Sequence, residues 1–287
     1  LSTNHFYAGA VITARSLHAA QISRCFGIPG VQNLSLYHGL HECGVENVLV
    51  TNEESAAFAA AGVWLASSCT EMACANIIGG PGITHALPGI QYALLHEIPM
   101  LVITTGIKAK ASNHKFQLHD VDNQGILRPV CKECLSPRVD ASDLSAVILQ
   151  ASLTARSAPM GPVAVDLPSD MMSSPQRFVK PSIPESIAGQ YKLPCRWAGH
   201  AERMSLLGQA CLDTMPGLKK IVNCFLQVEC TYCIESGPLG CAFNAALCDA
   251  NNTRVIFPKT CNSDGAALPS AIGACMHLRS SVVAVTT

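Results

Sequence analysis

Charged side chains are scarce in this sequence. Asp, Glu, Lys and Arg make up 14% of its 287 residues, against roughly 25% in an average soluble domain. The 19 basic and 20 acidic residues leave a formal net charge of -1, so no charge excess points to nucleic acid or an anionic membrane as partner. No uncharged apolar run reaches the roughly 18 residues of a membrane span. No basic region followed by an apolar core opens the chain, and no signal peptide is expected there. No Gly-x-Gly-x-x-Gly follows the first expected strand, which argues against a nicotinamide-binding Rossmann domain. So little charge leaves much surface to cover, as expected of an oligomer or of a chain that works with further domains.

Apolar residues are plentiful, at 49%, and there are 15 cysteines. The length allows one large or two medium domains. The cysteines lie mostly in apolar segments (Cys69, Cys74, Cys224, Cys241, Cys275), where a free thiol behaves as a small hydrophobe. Reduced core cysteines in an intracellular, cytoplasmic protein are the expectation. The two Cys-x-x-Cys pairs, Cys131/Cys134 and Cys230/Cys233, are far apart and lie in apparent strands. Zinc is not expected from that spacing.

Helical patterns alternate with short apolar runs from the start. Residues 8–22 have helical spacing, Cys25 to Gly30 reads as a strand into a tight turn, and a second helix is expected from Val31 to Glu42. Gly44 can end that helix. Val45 to Val50 reads as a strand, and the Ala-rich run after it as a helix, which places Glu53 at a strand-to-helix junction. Open α/β sheets put their chemistry at such junctions. Ala73 to Ile78 is a further strand, ending in Gly79-Gly80-Pro81-Gly82, where backbone N–H groups can approach a ligand. A helix over 83–96, a strand from Ile98 to Gly106, a helix after Ser142 and a strand around Val163 to Leu167 complete the unit. The alternation predicts an α/β fold, a parallel sheet with helices on both faces. Residues 173–199 are rich in Pro and Ser and read as a linker. Apolar runs at Ile221–Phe225, Thr231–Ile234 and Val282–Val285 indicate a partial second α/β domain.

The stretch from Thr51 to Gly62 resembles the glutamate motif of the thiamine-diphosphate-dependent enzymes of the acetolactate synthase and 2-oxo-acid decarboxylase group. That motif is roughly His-Glu-Gln-Ala-Ala-Ala-Phe-Ala-Ala-Asp-Gly. Glu53, Phe58 and Gly62 match it, while Asn52, Glu54 and Ala61 replace its His, Gln and Asp. Four further stretches are similar to the family in the same order: Phe26-Gly27-Ile28-Pro29-Gly30, Gly80-Pro81-Gly82, Phe116-Gln117, and Gly161-Pro162-Val163 through Asp166-Leu167-Pro168. The likeness runs over about residues 6–172. Beyond it, Glu235 to Gly240 is similar to the diphosphate-holding turn, and Asn262 to Ala274 to the segment that bends the cofactor. Asp264 stands there in place of an apolar wedge.

The resemblance implies a pyrimidine-binding domain at 1–172, the linker at 173–199, and a shortened or truncated diphosphate-binding domain at 200–287. It implies thiamine diphosphate and Mg2+ as cofactors and a 2-oxo acid as substrate. It makes Glu53 the partner of the cofactor's pyrimidine and turns Gln117 toward the active site. On the residues alone, Glu53 reads as a helix-start acid that satisfies the helix dipole. Pro29, Gly30, Gly80, Pro81, Gly82, Gly237, Pro238, Leu239 and Asp264 are the other expected cofactor contacts. His85, His114 and His119 are left without a role. No metal ligand is expected within the chain, because the family's Gly-Asp-Gly metal loop would follow Thr287, and both ends look cut. Decarboxylation, or carboligation as in acetolactate synthase, is the expected activity. The competing reading is a non-catalytic partner or regulatory subunit that keeps the fold. A homodimer or homotetramer is expected, with the helices after Glu53 and Gly82 at the contact.

Overall fold

The computed structural model describes residues 6–108, 119–137 and 144–177, and of the C-terminal part 217, 220, 230–234, 243, 254–256, 267–278 and 282–285. The first region alternates strands and helices: β1 (Phe6–Ala8), α1 (Gly9–Ala19), β2 (Arg24–Gly27), α2 (Leu34–Glu42), β3 (Glu46–Leu49), α3 (Glu53–Ala66), β4 (Cys74–Ile78), α4 (Pro81–Leu95) and β5 (Met100–Gly106). It continues with α5 (Asn123–Leu127), β6 (Glu133–Leu135), α6 (Leu144–Arg156), β7 (Pro162–Pro168), α7 (Ser169–Ser173) and β8 (Pro175–Arg177). The C-terminal part contributes β9 (Thr231–Ile234), β10 (Arg254–Ile256), α8 (Ala267–Leu278) and β11 (Val282–Val285).

Six strands form one sheet in the order β3-β2-β4-β5-β7-β6. Every neighbouring pair is parallel. The fold is thus the α/β arrangement that the alternation predicts. β5 lies in its middle and is buried at all seven residues, as a strand with helices on both faces must be. β3 is the edge strand, and Leu49 at its end is 65% exposed. The second sheet, β10-β9-β11, is also parallel. Among the described residues no helix is long and apolar enough to cross a membrane.

Local chemistry sets the boundaries. Asn52 caps α3 by accepting from the Glu54 N–H at 3.0 Å. Pro81 opens α4 at a position where its missing N–H costs nothing. After α2 the chain turns through Gly44 at φ 73°. There Gly44 N donates to His41 O and Val45 N to Leu40 O, a Schellman pair. α2 itself starts at Leu34, three residues later than the apolar spacing predicts. Asn33 explains the delay: its side chain accepts from Gly30 N at 2.7 Å and donates to Ile28 O at 3.1 Å, closing a turn in place of a helical one.

Two further differences from the sequence reading concern the ends of the domain. Residues 6–8 are a strand, and residues 175–177, expected in the linker, pair with them antiparallel as β8. Each satisfies the other's backbone groups. Ser173 ends α7, and linker residues 178–199 lie outside the described ones. The other difference concerns α3, which is buried on all sides from Ala56 to Trp64. The sequence placed this helix at a subunit contact, yet α8 of the same chain covers it. A Cβ at Gly62 would meet the Ser270 backbone, with Cα at 2.9 Å, and one at Gly273 would meet the Ala59 carbonyl carbon at 2.8 Å. The two helices therefore touch backbone to backbone. Ala66, Cys233, Ala271 and Ala274 form the small core that joins them to the second sheet.

The nine described cysteines are free thiols. Cys69 and Cys74 are buried as their apolar context predicts, whereas Cys275 is exposed on the outer face of α8. Cys134 lies in β6 and Cys233 in β9, each with its Cys-x-x-Cys partner just before the strand. No cluster of His, Cys, Asp or Glu able to hold a metal occurs among the described residues.

Candidate active site

The strand order reverses direction at β2. From β2 the chain steps outward to β3, then crosses back over β2 to β4 on the other side. The crevice outside the carboxyl ends of strands at such a reversal is where open α/β sheets bind ligands. Two segments enter it here. One follows β3 and carries Glu53 in the first turn of α3. The other follows β4 and is the Gly79–Gly82 turn.

These segments meet. A Cβ at Gly82 would lie 3.3 Å from Glu53 Oε1 and 3.4 Å from Ile77 Cγ2 and Ile78 Cβ. The absence of a side chain at Gly82 thus leaves the carboxylate accessible from the turn. The Glu53 side chain is 15% exposed, and its other oxygen faces His85 Nδ1 at 3.4 Å. His85 itself is 66% exposed. Gly30 joins the group from the end of β2, its missing Cβ being filled by the tip of Ile78. Pro29 precedes it on an exposed corner.

Beneath Glu53 lie polar groups that the sequence reading passed over. Asn76 of β4 is fully buried, and its Nδ2 has no hydrogen-bond partner. The Tyr37 hydroxyl of α2 is likewise buried and unpartnered. It lies beside Gly27, where an added Cβ would come within 2.8 Å of it. Burial pushes the Tyr37 phenol well above its ordinary range, and the nearby Cys25, Cys74 and Glu53 push it further. Unpaired buried polar atoms are rare and costly in proteins. Tyr37 lies close enough to Glu53 to feel its charge, and both unpaired atoms are shut inside the protein. A polar residue in the middle of an otherwise apolar strand is the signal by which Asn76 could have been found.

The glycine turn is held from behind. Gly80 takes φ 76° and ψ -119°, and its N–H donates to Asn123 Oδ1 at 3.0 Å. Gly79 N donates to Thr105 O at 3.0 Å, and Gly79 O lies 2.9 Å from His119 Nδ1. Asp166 of β7 accepts from Thr104 Oγ1 at 2.7 Å and from Asn123 Nδ2 at 3.1 Å. Burial raises the Asp166 carboxyl, the two hydrogen bonds oppose that rise, and Asp122 adds to it.

Of the residues expected at the site, the structure brings together Glu53, Gly80, Pro81, Gly82 and the Pro29-Gly30 turn at the ends of β2 and β4. Gln117, His114, Gly237, Pro238, Leu239 and Asp264 lie outside the described residues. The arrangement fits the pyrimidine half of thiamine diphosphate. Glu53 offers a shielded carboxylate, and Gly82 offers room beside it for a flat ring.

Comparison with known proteins agrees with this geometry. Residues 8–126 match the family described as thiamine pyrophosphate enzyme, N-terminal TPP binding domain. The large subunit of acetolactate synthase isozyme 3 from Escherichia coli is 31% identical over 217 residues, which are 75% of this chain and 36% of that protein. The acetolactate synthase large subunit of Haemophilus influenzae is 32% identical over 168 residues, 58% of this chain and 28% of the relative. Among solved structures, a thiamine diphosphate-dependent 4-hydroxybenzoylformate decarboxylase from Rhodococcus jostii shares the fold, with a TM-score of 0.54 and 21% identity. That likeness covers 71% of this chain and 38% of the decarboxylase. Residues 8–126 are thus an N-terminal cofactor-binding domain of the thiamine-diphosphate-dependent enzyme family. The chain spans about a third of the length of the relatives it matches.

Proposed function

We propose that this chain supplies the pyrimidine-binding half of a thiamine-diphosphate-dependent enzyme that acts on a 2-oxo acid, by decarboxylation or by carboligation as in acetolactate synthase. The observation that carries the reading is Glu53, shielded at the sheet's reversal point and facing Gly82, where an added Cβ would crowd its carboxylate at 3.3 Å. When bound, thiamine diphosphate supplies an electron sink for the electron pair that stays on the former carbonyl carbon when the carboxylate leaves as CO2. Glu53 would hold a proton at the pyrimidine ring nitrogen. Gly80, Pro81 and Gly82 would present backbone to the ring, with Pro29 and Gly30 on its other side.

Gln117 is assigned to the substrate side, Gly237, Pro238 and Leu239 to the diphosphate, and Asp264 to the ring. Magnesium would offset the phosphate charge. We assign the complete enzyme to a cytoplasmic homodimer or homotetramer. Reduced thiols at the described cysteines support that location. Because α8 already covers α3, α4 is the helix left for a subunit contact. Its outer face exposes Thr84, His85, Pro88, Gln91 and Leu95.

Glu53→Gln tests the reading. With thiamine diphosphate, magnesium and pyruvate as probe, turnover is expected to fall about 100-fold or more, with the circular dichroism spectrum unchanged. Turnover in Glu53→Gln equal to wild type would remove Glu53 from the mechanism. Absent turnover in wild type, with cofactor bound, would favour the non-catalytic partner.

A further inference from the structure

The conformation of Gly80 is open to glycine without strain, but it does not by itself fix where the peptide points. The structure fixes it with a side chain. Gly80 N–H is buried and donates to Asn123 Oδ1 at 3.0 Å. Asn123 is the first residue of α5 and is 6% exposed. Its amide NH2 is committed to Asp166 Oδ1 at 3.1 Å, an oxygen that also accepts from Thr104 Oγ1 at 2.7 Å. A carboxylate only accepts, so Asp166 orients the Asn123 amide with its NH2 toward β7 and its carbonyl toward Gly80. The space is equally specified. A Cβ at Gly79 would lie 2.9 Å from Asn123 Nδ2, and one at Gly106 would lie 3.2 Å from it.

We propose that Asn123 and Asp166 are positioning residues: together they set the backbone of the Gly79–Gly82 turn, and through it the distance between that turn and Glu53. Asn123 reaches 43 residues back along the chain to do so, and Asp166 reaches it from two strands away in the sheet. That the turn in question serves a cofactor rests on the function proposed above; the turn's dependence on the pair does not.

Hydrogen–deuterium exchange of the peptide over residues 76–90 reads the turn directly. Asn123→Ala leaves the Gly80 N–H buried without a partner and is expected to speed its exchange about 10-fold or more. Asp166→Asn should do the same, with exchange in α1 and β2 unchanged. The exchanged pair, Asn123→Asp with Asp166→Asn, keeps a donor facing an acceptor from residue 166 to residue 123 to Gly80, with the Thr104 hydroxyl turning to accept from the new NH2, and should recover most of the protection. A space-filling role would leave Asp166→Asn, which keeps the shape, as protected as wild type. If Asn123→Ala does not fold, Thr104→Val removes one donor at constant shape and should give a smaller increase confined to the same peptide. Turn exchange unchanged in the single variants, or a pair no better than Asn123→Ala, overturns the proposal. Adding millimolar thiamine diphosphate separates the two claims. No protection of the wild-type turn counts against the cofactor reading alone. Protection equal in wild type and Asn123→Ala counts against the positioning role alone.

Discussion

Gly62→Ala provides a test in which the sign itself is informative. In the interior of an exposed helix this change stabilises, by about 1 kcal/mol, because alanine loses less backbone freedom than glycine. Gly62 is the tenth residue of the 14-residue α3, so the same gain applies here. Against it stands α8. The new Cβ would meet the carbonyl oxygen of Ser270 in sub-van der Waals contact, with its Cα at 2.9 Å and its carbonyl carbon at 3.0 Å. These are backbone atoms of a packed helix, so no rotamer change relieves them. Forcing a methyl group into such a site typically costs 1–3 kcal/mol, and a backbone neighbour places this one toward about 3 kcal/mol. The expected net is a loss of about 1–2 kcal/mol. Urea unfolding at neutral pH reads it as a lower midpoint at constant slope. Gly273→Ala is the reciprocal case, because its Cβ would meet Ala59 at the carbonyl carbon, 2.8 Å away. Because both substitutions push the same two helices apart, their effects should add to less than their sum. Gly62→Ala as stable as wild type, or more so, would refute the close α3–α8 contact.

Gly44→Ala isolates the opposite situation, since nothing lies within 4 Å of the added Cβ but φ is 73°. The expected loss is about 1–2 kcal/mol from backbone strain alone, and an unchanged urea midpoint would argue against the Schellman turn. His85→Asn should raise thiamine diphosphate affinity up to about fivefold by releasing Glu53 from a competing neighbour; weaker binding by calorimetry would instead make His85 a support of the site. Burial opposes ionisation of Glu71, but Ser23, Arg24 and His277 outweigh it and hold the carboxyl below its ordinary range. A carboxyl lowered in the folded state gives stability above its unfolded pKa, lost as pH falls through the folded one. Stability should therefore fall with acid below about pH 4.5, and Glu71→Gln should make that slope shallower; an unaltered slope would remove Glu71 from the linkage.

The parts of the fold that sequence spacing revealed are those whose causes are local. Glu53 is legible because an apolar run, a capping Asn52 and an alanine-rich helix succeed one another within a few residues. Gly44 is legible because its positive φ answers to the helix just before it. The start of α2 was misplaced because Asn33 has two uses, as a helix cap or as a turn closer, and only the position of Gly30 decides between them. β1 and β8 were missed because each is three residues long and exists only through the other. Asn123 and Asp166 carried no signal as a pair, since a hydrogen bond across 43 residues leaves no periodicity. Cys275 was read as buried from its apolar neighbours, but α8 hides only one face.

The same distinction governs α3. Its sequence shows that the helix must be covered, and the low charge of the chain says so again, but neither says by what. The structure answers with α8, held in two places. Small residues bring the helices together at Gly62 and Gly273, and at the far end His277 Nδ1 lies 2.6 Å from Glu71 Oε2. Glu71 in turn binds Arg24 Nη1 at 2.9 Å, at the start of β2. A histidine in the last turn of a helix also suits the negative end of its dipole. Glu53 and Gly62 stand nine steps apart on unbroken helix, about 13.5 Å at roughly 1.5 Å per residue. A helix of that length moves as a rod, so what clamps Gly62 also sets the position of Glu53. α4 holds the rod nearer the carboxylate, where Gly89 packs against Ala57 and the Glu54 carbonyl. The carboxylate is thus aimed by α4, whose His85 faces it directly, and by α8 from the C-terminal part of the chain, which acts on it through α3.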